Sequence, residues 1–103
     1  MDSDLYLIEV LDNDMTFANI MAEHEEGLST AIVEKICYAI ENDLKRVTIA
    51  QIITKIHTIT LHASYYNFYE TLDTNMENLI KYENYELCAR AQKHLDNYNK
   101  KNI

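Results

Sequence analysis

Asp12, Asp14 and Glu23 stand at the first, third and twelfth positions of a calcium-loop spacing, where carboxylates would supply the hard oxygen ligands that calcium takes. The sixth position, whose sharp turn needs glycine, is Phe17, and apolar residues fill much of the interval. The spacing therefore reads as part of a helix and not as a metal loop. His57 and His62 are five residues apart, the wrong interval for two ligands on one helical face. His24, between Glu23 and Glu25, reads as a solvated acidic helix end, because a metal site needs three or four convergent ligands.

Nucleophilic catalysis would draw on Ser29, Ser64, Cys37 or Cys88. None lies in a nucleophile elbow, and the single glycine leaves no phosphate-cradling loop. The two cysteines fit no metal or redox spacing and read as reduced core thiols. No catalytic, metal or cofactor residue is expected, and the chain reads as a non-enzymatic protein that binds a partner.

The clearest signal for binding is charge. Asp2, Asp4, Glu9, Asp12, Asp14, Glu23, Glu25 and Glu26 all precede the first basic residue, Lys35, whereas the nine acids and nine bases of residues 31–103 cancel. The whole net charge of −8 is thus carried by the first thirty residues. Such a field disfavours direct phosphate contact and suits a basic protein partner. Carboxylates displayed on helices can also imitate a phosphate backbone, so the acidic third is expected to be a docking face of a regulator or inhibitor, with a DNA mimic as the class-level analogy. A predominance of residues with AT-rich codons suits a bacteriophage, another mobile element or a low-GC microbe as the source.

Tyr65, Tyr66, Phe68 and Tyr69 crowd four aromatic rings into five residues, and on a helix they spread over nearly half its circumference, more than one core stripe takes in. Either two of them are buried while the others lie over neighbouring helices, or they form an oligomer or partner surface, with a homodimer as the default. The alternative function is accordingly a structural or assembly protein held together by these rings. No uncharged apolar run is long enough to span a bilayer, and the start of the chain lacks a signal peptide's basic region, so no membrane contact and a cytoplasmic setting are expected.

The elements that must position these groups are expected to be helices. The 103 residues suffice for one domain, and one glycine with no proline leaves few residues for tight β-turns. Residues 4–11 fit either a helix or a strand. A helix starting near Asp14 or Thr16 buries Phe17, Ile20 and Met21 and stops at Gly27 as its C′ residue. Another starts at Ser29 as N-cap, with Leu28 and Val33 as a hydrophobic staple, and carries Ile32, Ile36, Cys37, Ile40 and Leu44 on one stripe; Lys45 and Arg46 complement its C-terminal dipole.

Thr48 with Gln51 has the form of a capping box, and Ile49, Ile52, Ile53, Ile56, Ile59 and Ala63 follow at helical spacing. The β-branched run Thr58, Ile59 and Thr60 argues for a strand there. Thr74 with Glu77 marks one long last helix bearing Met76, Ile80, Leu87, Ala91, Leu95 and Tyr98, interrupted at Asn84. The expected fold is an all-α bundle of four or five helices in a single domain spanning residues 1–103.

Overall fold

The computed structural model describes residues 5–10 and 16–101. Its order is β1 (Tyr6–Glu9), α1 (Phe17–Glu23), α2 (Glu25–Glu41), β2 (Arg46–Ile53), β3 (Thr58–Ser64), a short 3-10 turn (Tyr65–Asn67), α3 (Phe68–Lys81) and α4 (Tyr85–Lys101). The fold is mixed α/β, which corrects the all-α expectation: four helices pack with a three-stranded sheet of order β1-β2-β3. β1 runs parallel to β2, and β2 pairs antiparallel with β3. Tyr6–Glu9 form a strand, one of the two forms expected over residues 4–11.

The expected helix over 48–63 is instead a β-hairpin. Ten of the fourteen residues from 47 to 60 are Val, Ile or Thr, which fit a pleated surface better than a helix. Helical spacing arose there from a β-bulge. The pairing steps from Thr48↔His62 to Ala50↔Leu61, leaving Ile49 as the extra residue. The bulge lets Ile49, Ala50 and Ile52 all reach the core, so buried residues recur three apart in a strand. The hairpin loop lacks glycine because Thr54 does its work. The Thr54 hydroxyl accepts from the backbone N–H of Ile56 and His57 at 3.2 and 3.0 Å and donates to the His57 carbonyl at 2.7 Å.

Further boundaries move for similar local reasons. Ser29 is no N-cap: it is buried in α2 and accepts a hydrogen bond from Asn78 of α3 at 2.9 Å. Gly27 also lies inside α2 and terminates nothing. The expected cap at Thr74 is the middle of α3, where its hydroxyl donates to the Thr71 carbonyl. α1 does start where Thr16 suggests, with the Thr16 hydroxyl accepting from the Asn19 N–H at 3.1 Å. Phe17, expected in the core, is instead exposed.

The one long terminal helix is two, α3 and α4, divided at Glu83. α2 and α3 end alike, with Asp43 and Glu83 in the left-handed region at φ of 55° and 59°. Leu44 N–H then bonds Ala39 O, and Asn84 N–H bonds Leu79 O, each at 2.8 Å. These are the C-terminal closures that glycine ordinarily makes, built on acidic residues.

α2 is the central element, packed against β2 on one side and against α3 and α4 on others. Leu28, Val33, Ile36, Cys37 and Ala39 are all buried, so burial covers about half of its circumference. They share one core with Ile49, Ala50, Ala63, Phe68, Leu72, Leu79, Leu87, Ala91 and Leu95. A smaller cluster of Ile8, Val10, Ile20 and Ile52 lies under β1. Among the described residues no helix is long and apolar enough to cross a membrane.

Glu41 ties the end of α2 to α4. It accepts two bonds from Arg90, through Nε at 2.9 Å and Nη2 at a shorter distance of 2.6 Å, and His94 Nε2 lies 2.7 Å from its second oxygen. The Arg90 bonds, with help from His94, hold the carboxyl down at about 2, against an ordinary value of 4.5. A depressed carboxyl contributes stability that is whole above its unfolded value and is lost as pH falls toward the folded one. Chemical denaturation should therefore show the native protein losing about 1 kcal/mol more than Glu41→Gln between pH 5 and 2, a figure kept small because the pair is partly exposed. Equal slopes in the two proteins would deny Glu41 this role.

Candidate partner-binding surface

β1 borders the sheet on one side, and among the described residues its outer edge carries no strand. Val10 N–H donates to Ile53 O at 2.8 Å. Backbone groups alternate in direction along a parallel strand, so those of Ile8 and Tyr6 also face β2, whereas those of Leu7 and Glu9 face outward. At the start of β1 a groove of about 720 Å³ opens, walled by Leu5 and Tyr6 on one side and by Glu26, Gly27, Thr30, Ala31, Glu34 and Lys35 of α2 on the other. Glu26, Thr30 and Glu34 follow each other at four-residue spacing and form one acidic ridge along the helix.

Gly27 is what lets the two walls meet. A methyl group on it would overlap the Tyr6 hydroxyl and lie 2.7 Å from Tyr6 Cζ. The ring lies edge-on to His24, with Tyr6 Oη 3.2 Å from His24 Nδ1. The backbone edge, the ring and the acidic ridge are therefore fixed relative to one another.

The acidic residues expected to form one face are distributed over several surroundings. Glu26 is exposed at the groove, and Glu23 is exposed at the end of α1. Glu25 is engaged elsewhere: Lys81 Nζ donates to it at 2.8 Å and the Tyr82 hydroxyl at 2.9 Å. The Lys81 bond, and then the Tyr82 bond, hold the Glu25 carboxyl below its ordinary range. Glu9 is exposed on β1 and alternates with Ile8, which points into the core, so Glu9 lies on the opposite face of the sheet. Asp2, Asp4, Asp12 and Asp14 lie outside the described residues. Glu34 lies beyond the acidic first thirty residues yet shares the ridge, and its eight-residue spacing from Glu26 is the signal in the sequence that places it there.

The four aromatic residues also part company. Phe68 is 1% exposed and belongs to the core, which removes it from the expected surface. Tyr66 is 93% exposed and Tyr65 half exposed, their rings edge-on at 5.4 Å. Tyr69 is partly buried and stacks on Tyr98 of α4 at 4.0 Å, a partner the sequence did not suggest. Burial, and then the neighbouring Tyr65 and Tyr98, raise the Tyr69 phenol above its ordinary value.

No group of three or more His, Cys, Asp or Glu among the described residues is placed to hold a metal. Cys37 is fully buried, and that burial pushes its thiol up to about 11, which suits packing and not nucleophilic attack. Comparison with protein-family models, with curated proteins and with solved structures found no match.

Proposed function

We propose that this chain is a non-catalytic acidic binding protein that captures an extended, basic segment of a partner protein along the outer edge of β1, as a regulator or inhibitor would. The observation that carries the reading is the groove between the start of β1, at Leu5 and Tyr6, and the Glu26–Glu34 ridge of α2, from which the outward backbone groups of Leu7 and Glu9 continue along the strand. Strand addition draws affinity from outward-facing backbone groups and selectivity from the flanking wall. Here the wall carries Glu26 and Glu34 against the one cation Lys35, an acidic balance that favours lysine and arginine side chains over nucleic-acid phosphate.

The test uses an acetylated, amidated peptide of alternating lysine and valine, followed by two-dimensional amide NMR. Binding should shift residues 5–9 and the groove side of α2. Leu7→Pro removes one outward N–H while sparing the bonds to β2, a substitution that edge strands tolerate. It should weaken the peptide by about fivefold, the worth of one hydrogen bond near 1 kcal/mol. Glu26→Gln with Glu34→Gln should weaken it at low salt and much less at high salt. Unchanged affinity in Leu7→Pro would dispose of strand addition.

A second reading, assembly of a homo-oligomer through the aromatic patch, is favoured by the near-complete exposure of Tyr66. Light scattering at high protein concentration decides it, since a monomer mass there leaves the patch with no partner copy.

A further inference from the structure

Tyr65, Tyr66, Tyr69 and Tyr98 do not form a flat apolar patch. They line a cleft of about 360 Å³ together with Glu70, half the volume of the groove beside β1. Three elements build it: the 3-10 turn brings Tyr65 and Tyr66, the first turn of α3 brings Tyr69 and Glu70, and the last turns of α4 bring Tyr98. The turn is pinned at both ends. Tyr65 N–H donates to Lys45 O at 2.7 Å, and the Asn67 side chain accepts from Ser64 N–H at 3.1 Å.

The cleft combines four π-systems with one carboxylate, and the chemistry that answers both at once is a cation. Aromatic faces carry negative potential and attract cations within about 6 Å of the ring centroid. Lys45 of this chain already covers one ring, its Nζ 4.7 Å from the centre of Tyr65, which leaves Tyr66, Tyr69 and Tyr98 with Glu70 to meet an incoming cation. A second carboxylate, Asp73, lies on the adjoining surface that Tyr69, Glu70 and Tyr98 share with it. A nucleobase would also stack on tyrosine, but its phosphate would meet Glu70, Asp73 and a chain of net charge −8.

We infer that this tyrosine cleft is a receptor for an arginine side chain of a protein partner, its guanidinium packed against the rings and bonded to Glu70. Tyr69 and Tyr98 are nearly parallel, at 16°, and a planar guanidinium continues such a stack where a compact ammonium cannot. Its forked N–H groups then suit a carboxylate. The cleft is sized for a side-chain head and the groove for an extended backbone, so the two surfaces take different parts of a ligand. The inference does not depend on strand addition.

The probe is an acetylated, amidated Gly-Arg-Gly peptide, compared with its neutral citrulline counterpart and with the lysine version, by amide NMR on the intact chain. The arginine peptide should produce saturable shifts over residues 65–70 and 98, binding at least about fivefold tighter than citrulline and more tightly than lysine. Tyr66→Ser and Glu70→Gln alter exposed side chains and should each weaken it by about threefold, with melting unchanged. Leu7→Pro should leave this binding intact, which separates the cleft from the groove. Equal shifts from the citrulline peptide would overturn the inference, as would arginine binding that survives both cleft substitutions. Shifts that follow protein concentration with no peptide present would also overturn it, assigning the tyrosines to a second copy of the chain.

Discussion

Phe68→Ala is expected to lower the melting temperature by about 15–30 °C, because removing a fully buried phenylalanine costs about 3–5 kcal/mol and each kcal/mol moves a domain of this size by about 4–8 °C. Phe68 opens α3 at 1% exposure, within the core that joins α2, the hairpin and both C-terminal helices. Little nearby slack exists to close the cavity, since Val33, Ile36, Ala39 and Leu72 are themselves fully buried. Against a total stability of about 5–15 kcal/mol, the loss leaves a marginal fold. Tyr66→Ala, two residues earlier and almost wholly exposed, should stay within about 0.5 kcal/mol. Thermal and urea denaturation of the pair separates a core ring from a surface ring; similar melting temperatures would place Phe68 outside the core.

Gly27→Ala should leave stability within about 1 kcal/mol of the native protein yet weaken the lysine-valine peptide by about tenfold or more. Two terms oppose each other in the folding energy. Alanine gains up to about 1 kcal/mol over glycine inside a helix, less in this first turn of α2, whereas displacing the Tyr6 ring loses its contact with His24, a hydrogen bond worth about 1 kcal/mol. Binding has no such offset. The displaced ring is a wall of the groove, and the new methyl stands where the hydroxyl was. Tyr6→Phe in the same background should restore part of the affinity, because the hydroxyl is the atom most deeply overlapped while Cζ and Cε2 remain at 2.7 and 2.9 Å. Calorimetric titration alongside melting curves measures both quantities. Native affinity in Gly27→Ala would show that the Tyr6 wall takes no part in recognition.

Caps and periodicity made several helical segments legible and misassigned the hairpin. Thr16 announced α1 because its hydroxyl does cap the helix, and the stripe through Ile36 and Cys37 found α2 because both residues are buried. The hairpin was misread because a bulge at Ile49 imitates a helical interval and Thr54 replaces the expected turn glycine. Gly27 misled in the opposite sense. A glycine is required there by a ring twenty-one residues away in sequence, which no local pattern records.

The acidic excess was visible as a count, but its division was not. Whether a carboxylate is free, as Glu26 is to solvent, or held, as Glu25 is by Lys81, depends on contacts across 56 residues. The Tyr69–Tyr98 stack was hidden for the same reason, since α3 and α4 had first to be recognised as two helices that fold back on each other.

Asp43 and Glu83 close α2 and α3 in a backbone conformation that costs a side-chain-bearing residue about 1 kcal/mol relative to glycine. A single base change converts an aspartate or glutamate codon into a glycine codon. Two point mutations, both remote from Tyr6 and Glu26 in sequence, therefore separate this chain from a sturdier version of itself. That proximity gives the protein evolutionary headroom: a lineage that closes either turn with glycine can tolerate a destabilising change on its binding surfaces, and so explore new partners, without losing the fold that presents them.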